Sequence, residues 1–361
     1  MIDSSDLSLH IFRKAELEQI SAFLVQDRDL IVTGVPGIGR RTLIRSAAHQ
    51  AGVRHLEIDC LRCRSAQQFV QLLIDSINAA FSQPDEVAKM RQWISAQPLP
   101  LGPSLSVQDR LIWSALPGKE WTLFEYLLSL PQYLAEALAC RAVIVFHNLA
   151  HIRIWDRHRK WETRLLQEIQ WQQQVSYVLV AIVPDTWNDI DLPVIALGPL
   201  SDQDMQTWIV RKMAMTGLSF AADGQGLAAF VSYVQGHIKD AIALAHRIQL
   251  MCHADSTQRR KGEIQDHHVH RSMCALVKDV EVTFEALLLL LPPTQAKLLE
   301  SLSLDPTDRP QASAYIKKHH LSRGGSLQGA LSSLEQKGLV YGSKLGFRVS
   351  LPLLDFWIQQ S

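Results

Sequence analysis

A chain of 361 residues exceeds what one ordinary hydrophobic core holds and leaves room for two or three domains. Hydrophobic residues at 47% and charged residues at 20% are the proportions of a globular protein. Lys plus Arg equals Asp plus Glu at 36 each, so no global field attracts nucleic acid or an anionic membrane, and any such surface has to be local. The five cysteines, Cys60, Cys63, Cys140, Cys252 and Cys274, are scattered, which suits a reducing compartment rather than a disulfide scaffold. The opening MIDSSDLSLH has neither the basic start nor the apolar run of a signal peptide. An apolar run such as Ala286 to Leu291 is far too short to span a bilayer. The expectation is a cytoplasmic protein without membrane contact.

Apolar residues at helical spacing (Leu17, Ile20, Leu24) predict a first helix. The run Leu30 to Thr33 then reads as a strand that stops at Gly34-Val35-Pro36-Gly37-Ile38-Gly39, with a helical pattern from Arg40 to Gln50. Strand, glycine loop, helix is the context a phosphate-binding loop requires. His55 to Asp59 reads as a second strand and Ala66 to Phe81 as an amphipathic helix. Prolines and glycines between 82 and 125 predict an irregular insertion. Ala142 to Phe146 and Tyr177 to Val183 read as buried strands, with a charged helix from Lys160 to Gln173 between them. Strands alternating with helices predict an α/β domain with an open, mostly parallel sheet over residues 1–200. Helices over 201–216, 224–234 and 238–252 and a polar linker make up 201–266. Residues 267–361 read as helices, a short hairpin (Leu339 to Tyr341, Phe347 to Val349) and a closing helix, the order of a winged helix.

With these elements in place the chain resembles the AAA+/STAND-type P-loop ATPases, in the bacterial and archaeal branch that ends in a winged helix. Phe12 to Leu17 is similar to that group's opening helix, Gly34 to Thr42 to its Walker A loop, and Ala142 to Asn148 to its Walker B strand. Val175 to Leu179 resembles the sensor-1 strand, Leu197 to Ser201 the entry to the helical lid, and Gly236-His237 the lid motif, with Ile238 in place of its proline. The resemblance implies ATP or ADP as ligand, assembly with partner proteins or into an oligomer, and a setting such as bacterial defence machinery.

The residues that would do the chemistry are substituted. In a Walker A loop, glycines free backbone N–H groups to surround phosphates, a lysine reaches the β/γ-phosphates and a Ser/Thr hydroxyl ligates Mg²⁺. Here Gly34, Gly37 and Gly39 remain, Arg40 stands at the lysine position and Arg41 at the hydroxyl position. A guanidinium has no lone pair for a metal, and Thr42 is one residue late, about 100° around the helix. His147 and Asn148 stand where the resemblance implies two carboxylates, and neutral His is a poor ligand for hard Mg²⁺. Three readings stay open: an empty turn, nucleotide bound without turnover and without a need for Mg²⁺, and hydrolysis through unconventional residues. Asp59 is a spare carboxylate at the end of the second strand.

Outside the loop, Cys60 and Cys63 have zinc-like spacing but no second ligand pair, and His267, His268 and His270 fall in the polar linker. The dense basic segment His151 to Lys160 offers Arg153, Arg157, Arg159 and Lys160 to a partner or to DNA phosphates, with Trp155 and Trp161 as stacking surface. In the winged helix, Ser326 to Lys337 is the recognition helix by position. Gln328 is placed to meet bases, and Lys317, Lys318 and Arg323 are placed to meet phosphates. Residues 281–361 carry eight basic and seven acidic side chains, a near balance that favours protein contact over DNA. The expected function is a regulatory or scaffolding subunit with a degenerate ATPase site, not an enzyme; the alternative is a DNA-binding adaptor.

Overall fold

The computed structural model describes residues 12–98, 106–107, 110–111, 118–169, 171–183, 187, 191–254, 262–322 and 324–360. It divides into two compact units, Met1–Thr33 with Arg40–Ala196, and Gly34–Gly39 with Leu197–Ser361.

The first unit runs α1 (Lys14–Val25), β1 (Leu30–Thr33), α2 (Arg40–Ala51), β2 (Arg54–Asp59), α3 (Ala66–Ala80) and α4 (Pro84–Ala96). After two short strands, β3 (Ser106–Val107) and β4 (Arg110–Leu111), it continues with α5 (Glu120–Ala137), β5 (Ala142–His147), α6 (Lys160–Ile169), β6 (Val175–Ala181) and β7 (Val194–Ala196). Five strands form one sheet in the order β2-β5-β6-β1-β7, with every pairing parallel. Strands β5 and β6 are buried along their whole length, as strands covered by helices on both faces must be. Parallel pairing delivers the carboxyl ends of β1, β2, β5 and β6 to one edge, where open α/β sheets bind ligands.

The sequence expectation fails over residues 84–96, which form a helix rather than part of an irregular insertion. Pro84 opens that helix instead of breaking a pattern, because the first helical position needs no N–H. The Glu86 carboxylate accepts the Gln83 backbone N–H at 2.9 Å and closes the first turn. Residues 99–105, 108–109 and 112–117 of the expected insertion lie outside the described residues.

The second unit runs α7 (Asp202–Ala214), β8 (Ser219–Phe220), α8 (Gln225–Val234), α9 (Ile238–Ala254), β9 (Glu263–Ile264) and α10 (Asp266–Leu290). It closes with α11 (Pro293–Leu304), α12 (Ser313–His319), α13 (Gly325–Gln336) and α14 (Pro352–Gln360). Single bridges pair Thr307 with Phe347 and Val340 with Val349, the small sheet of a wing. Leu298, Leu302, Leu331, Leu334 and Leu354 make the core of this C-terminal part. His267, His268 and His270 sit on the first turns of α10, not in a linker, and His268 is buried. Among the described residues, no helix is long and apolar enough to cross a membrane.

Asp29 precedes β1, where the parallel register places it beside β6, and its carboxylate accepts the Tyr177 backbone N–H at 2.7 Å. Burial pushes this carboxyl up to about 7, against the opposing effect of that hydrogen bond. Its folded value lies above the unfolded 3.8, so its contribution to stability is complete below about pH 4 and is lost as pH rises through about 7. Asp29→Asn keeps the acceptor and removes the charge. Thermal unfolding from pH 4 to 8 should therefore show the wild type losing stability relative to this variant, and a constant difference would contradict the assignment.

Candidate nucleotide-binding site

The glycine loop follows β1 in the chain, and its contacts are to the start of α9. Gly34, Gly37 and Gly39 have φ of 147°, 87° and 94°. Gly34 and Gly37 are the constrained ones: a Cβ would lie 2.7 Å from the Leu197 carbonyl oxygen at the first and 2.5 Å from the His237 ring at the second. His237 is buried, and its Nδ1 accepts the Asp240 backbone N–H at 3.3 Å. That assigns the ring proton to Nε2, which donates to the Pro36 carbonyl at 2.8 Å. The Lys239 N–H donates to the Gly37 carbonyl at 3.0 Å, and Asp240 accepts the Leu353 N–H of α14 at 3.3 Å. The loop is thus tied to the lid through two of its own carbonyls.

On the sheet, the residues at the metal and carboxylate positions are tied to one another. Glu57 points from β2 with one oxygen on Arg41 and 2.9 Å from His147 Nε2, and the other accepting from Arg45 Nε at 2.7 Å. Asp59, two residues along the same strand face, pairs with Arg41 at 3.2 Å and accepts from Asn148 Nδ2 at 3.4 Å. Burial alone would raise the Glu57 carboxyl; the His147 ring and the Arg45 and Arg41 guanidiniums outweigh it and hold the group down at about 2. Arg40 donates from Nη1 to the Ala181 carbonyl at the end of β6, at 2.5 Å, and burial lowers its guanidinium to about 10. Thr42 is exposed on α2. The structure therefore brings Arg41, His147 and Asn148 together around Glu57 and Asp59.

Two solved structures share this architecture. The chain superposes on a Walker-type ATPase of Pyrococcus abyssi with a TM-score of 0.64 at 11% identity, over 95% of each chain. It superposes on the Orc1 protein of Aeropyrum pernix, solved in complex with DNA, with a TM-score of 0.51 at 12% identity, over 97% of this chain and 92% of that one. The fold is that of an AAA+ P-loop ATPase. A family model described as a probable winged helix domain matches residues 282–360 and accounts for the C-terminal part. No curated protein matches the chain in sequence.

Within this AAA+ fold the basic segment after β5 is partly engaged by the protein's own side chains. Glu162, fully buried on α6, accepts from Arg153 Nε and Nη2 at 2.8 and 2.6 Å, from Arg159 Nε at 3.0 Å and from the Trp187 indole at 2.9 Å. Asp156 accepts three backbone N–H groups at the start of α6, and Lys160 lies 3.7 Å over the Trp121 ring. Trp155 and Trp161 pack edge to face and join the aromatic core around Phe69 and Phe124, which removes them as stacking surface. Arg157, Arg159 and Lys160 remain exposed.

In the winged helix, Asp305 pairs with Lys318 and His319 at 2.7 and 2.8 Å, while Lys317 is exposed. Gln328 is exposed on α13 and accepts from Gln311. Arg323 lies outside the described residues. Cys60 and Cys63 are buried free thiols at the end of β2, and no cluster of metal-ligating side chains occurs among the described residues.

Sequence reasoning passed over Glu57. Its signal is the alternation His55, Glu57, Asp59, which sets three polar side chains on one face of a strand that must meet buried β5. Removing this carboxylate leaves His147 and two guanidiniums facing one another. Glu57→Gln should lower unfolding free energy by about 2 kcal/mol in denaturant titration. Gly37→Ala should cost about 1–3 kcal/mol, because it adds a Cβ at positive φ against a buried ring. A neutral effect of either substitution would contradict the described geometry.

Proposed function

We propose that this chain is a catalytically silent AAA+/STAND-like subunit, regulatory or scaffolding in role, which binds partner proteins and retains nucleotide without hydrolysing it. The observation that carries this reading is Arg41, whose guanidinium sits between Glu57 and Asp59. A hydrolytic site of this class needs a hard dication held by oxygen ligands and a free carboxylate to orient water. Here both available carboxylates are neutralised by side chains of the protein itself, and a dication approaching them meets Arg41 and Arg45. Arg40 and Arg41 follow the glycine loop in the chain and carry positive charge at the positions where a lysine and a metal ligand stand elsewhere.

Protein partners are favoured over DNA on three grounds. Two of the four Arg and Lys residues in the basic segment, Arg153 and Arg159, are tied up in internal ion pairs with Glu162, and the winged helix is close to charge balance. An apolar stripe is exposed along the end of α10, with Val282, Leu289 and Leu290 at 76%, 86% and 83%. Residues seven apart share a helix face, so Val282 and Leu289 present one surface. An exposed apolar stripe of this kind marks a protein contact more often than a nucleic-acid one.

Purified protein should release phosphate from ATP no faster than buffer with magnesium present; magnesium-dependent turnover abolished by Gly39→Asp would overturn the silent-site reading. Calorimetric binding of ADP or ATP should change little when magnesium is chelated, whereas a strict magnesium requirement would contradict it. Duplex DNA should bind weakly, without sequence preference, and dissociate as salt rises to about 0.15 M. A salt-resistant, sequence-specific complex lost on Gln328→Ala would favour the DNA-binding adaptor instead.

A further inference from the structure

Where α8, α10 and α14 meet, three polar side chains with no part in the nucleotide site form a relay. On α10, Cys274 stands one helical turn after His270, and its Sγ lies 3.5 Å from His270 Nε2. The other ring nitrogen, Nδ1, is 2.8 Å from the Tyr233 hydroxyl on α8. Phe356 of α14 packs against both rings, with centroids 5.2 Å from Tyr233 and 6.1 Å from His270. A hydroxyl at Nδ1 fixes the ring orientation, and it leaves Nε2 as the proton acceptor for the thiol when the Nδ1 proton is given to Tyr233.

The other cysteines differ in kind. Cys60, Cys63 and Cys252 are buried, so the Cys63 thiol, which its hydrogen bond with Cys60 holds below the ordinary value, is shut away from solvent, and burial pushes the partly exposed Cys140 thiol up. Cys274 is partly exposed, and its imidazole partner is itself exposed to solvent. A thiol with a base in contact and a path to solvent is the arrangement that makes cysteine nucleophilic.

We propose that Cys274 is a modification site for hydroperoxides, with His270 as its base. The thiol proton passes to His270 Nε2, and the sulfur attacks the outer oxygen of the peroxide as the O–O bond breaks. The cysteine is oxidised by two electrons to a sulfenic acid and the peroxide is reduced to an alcohol or water. The proton held on Nε2 goes to the departing oxygen, so the step is balanced without another reactant. The product places a polar oxygen beside His270, whose ring bonds Tyr233 and packs on Phe356 at the junction of α8, α10 and α14.

The test is made on the intact chain with iodoacetamide and, separately, with hydrogen peroxide followed by dimedone, read peptide by peptide in a mass spectrometer. Cys274 should alkylate about tenfold faster than Cys140 in the same molecules and carry the dimedone adduct. His270→Gln should slow Cys274 about fivefold or more while Cys140 is unchanged, and added imidazole should restore part of the rate to His270→Ala. Cys274 reacting no faster than Cys140 in the wild type would overturn the proposal, and this result does not depend on whether the variants fold. So would a rate indifferent to His270, or the absence of a sulfenic adduct at Cys274.

Discussion

The carboxyl edge of the first unit's sheet is organised around one partly buried carboxylate. Glu57 lies in contact with Arg41, Arg45 and His147, on a strand whose neighbour β5 is buried from end to end. Desolvating a lone carboxylate costs several kcal/mol, while a unit pair 4 Å apart gains about 4 kcal/mol at an effective dielectric near 20. More than one basic partner is therefore enough to keep the group ionised. Remove the carboxylate and the positive groups repel one another; remove the partners and the carboxylate takes up a proton. The ion cluster and the sheet edge it occupies hold each other in place.

That cluster sits at the carboxyl edge of the sheet, where this architecture places ligand chemistry. Asp59 faces His147 in the parallel register, so the positions that resemble a metal shell are occupied by groups of the chain's own making. In the second unit the glycine loop is likewise engaged, by His237 and Lys239 at the start of α9. Asp240 carries that contact on to α14 through the Leu353 N–H, so the loop and the closing helix of the winged-helix segment share one hydrogen-bonded chain.

Much of the fold is legible in the sequence because its signals are local. The run Leu30 to Thr33, the glycines that follow and the buried strands at 142–147 and 175–181 need only neighbouring residues to declare themselves. The α4 helix lies inside the stretch whose prolines and glycines predict an irregular insertion, although Gln83-Pro84-Asp85-Glu86 carries a helix start. The site is less legible, for a physical reason. Arg159 to Glu162 is a pair three residues apart and readable on a helix, but Arg153 to Glu162, His147 to Glu57 and His237 to Pro36 are joined only by the fold. In the charged segment 151–160 only the fold reveals that Arg153 and Arg159 share a buried counter-ion, Glu162.

The most direct measurement of this account is the titration of Glu57 itself, followed by carbon-13 NMR of its carboxyl carbon in the intact protein. The account predicts a carboxylate that stays ionised well below its ordinary range, with a midpoint at about 2. A midpoint at or above the usual 4.5 would mean that Arg41, Arg45 and His147 do not hold it, and the site would then have a carboxylate free for a metal.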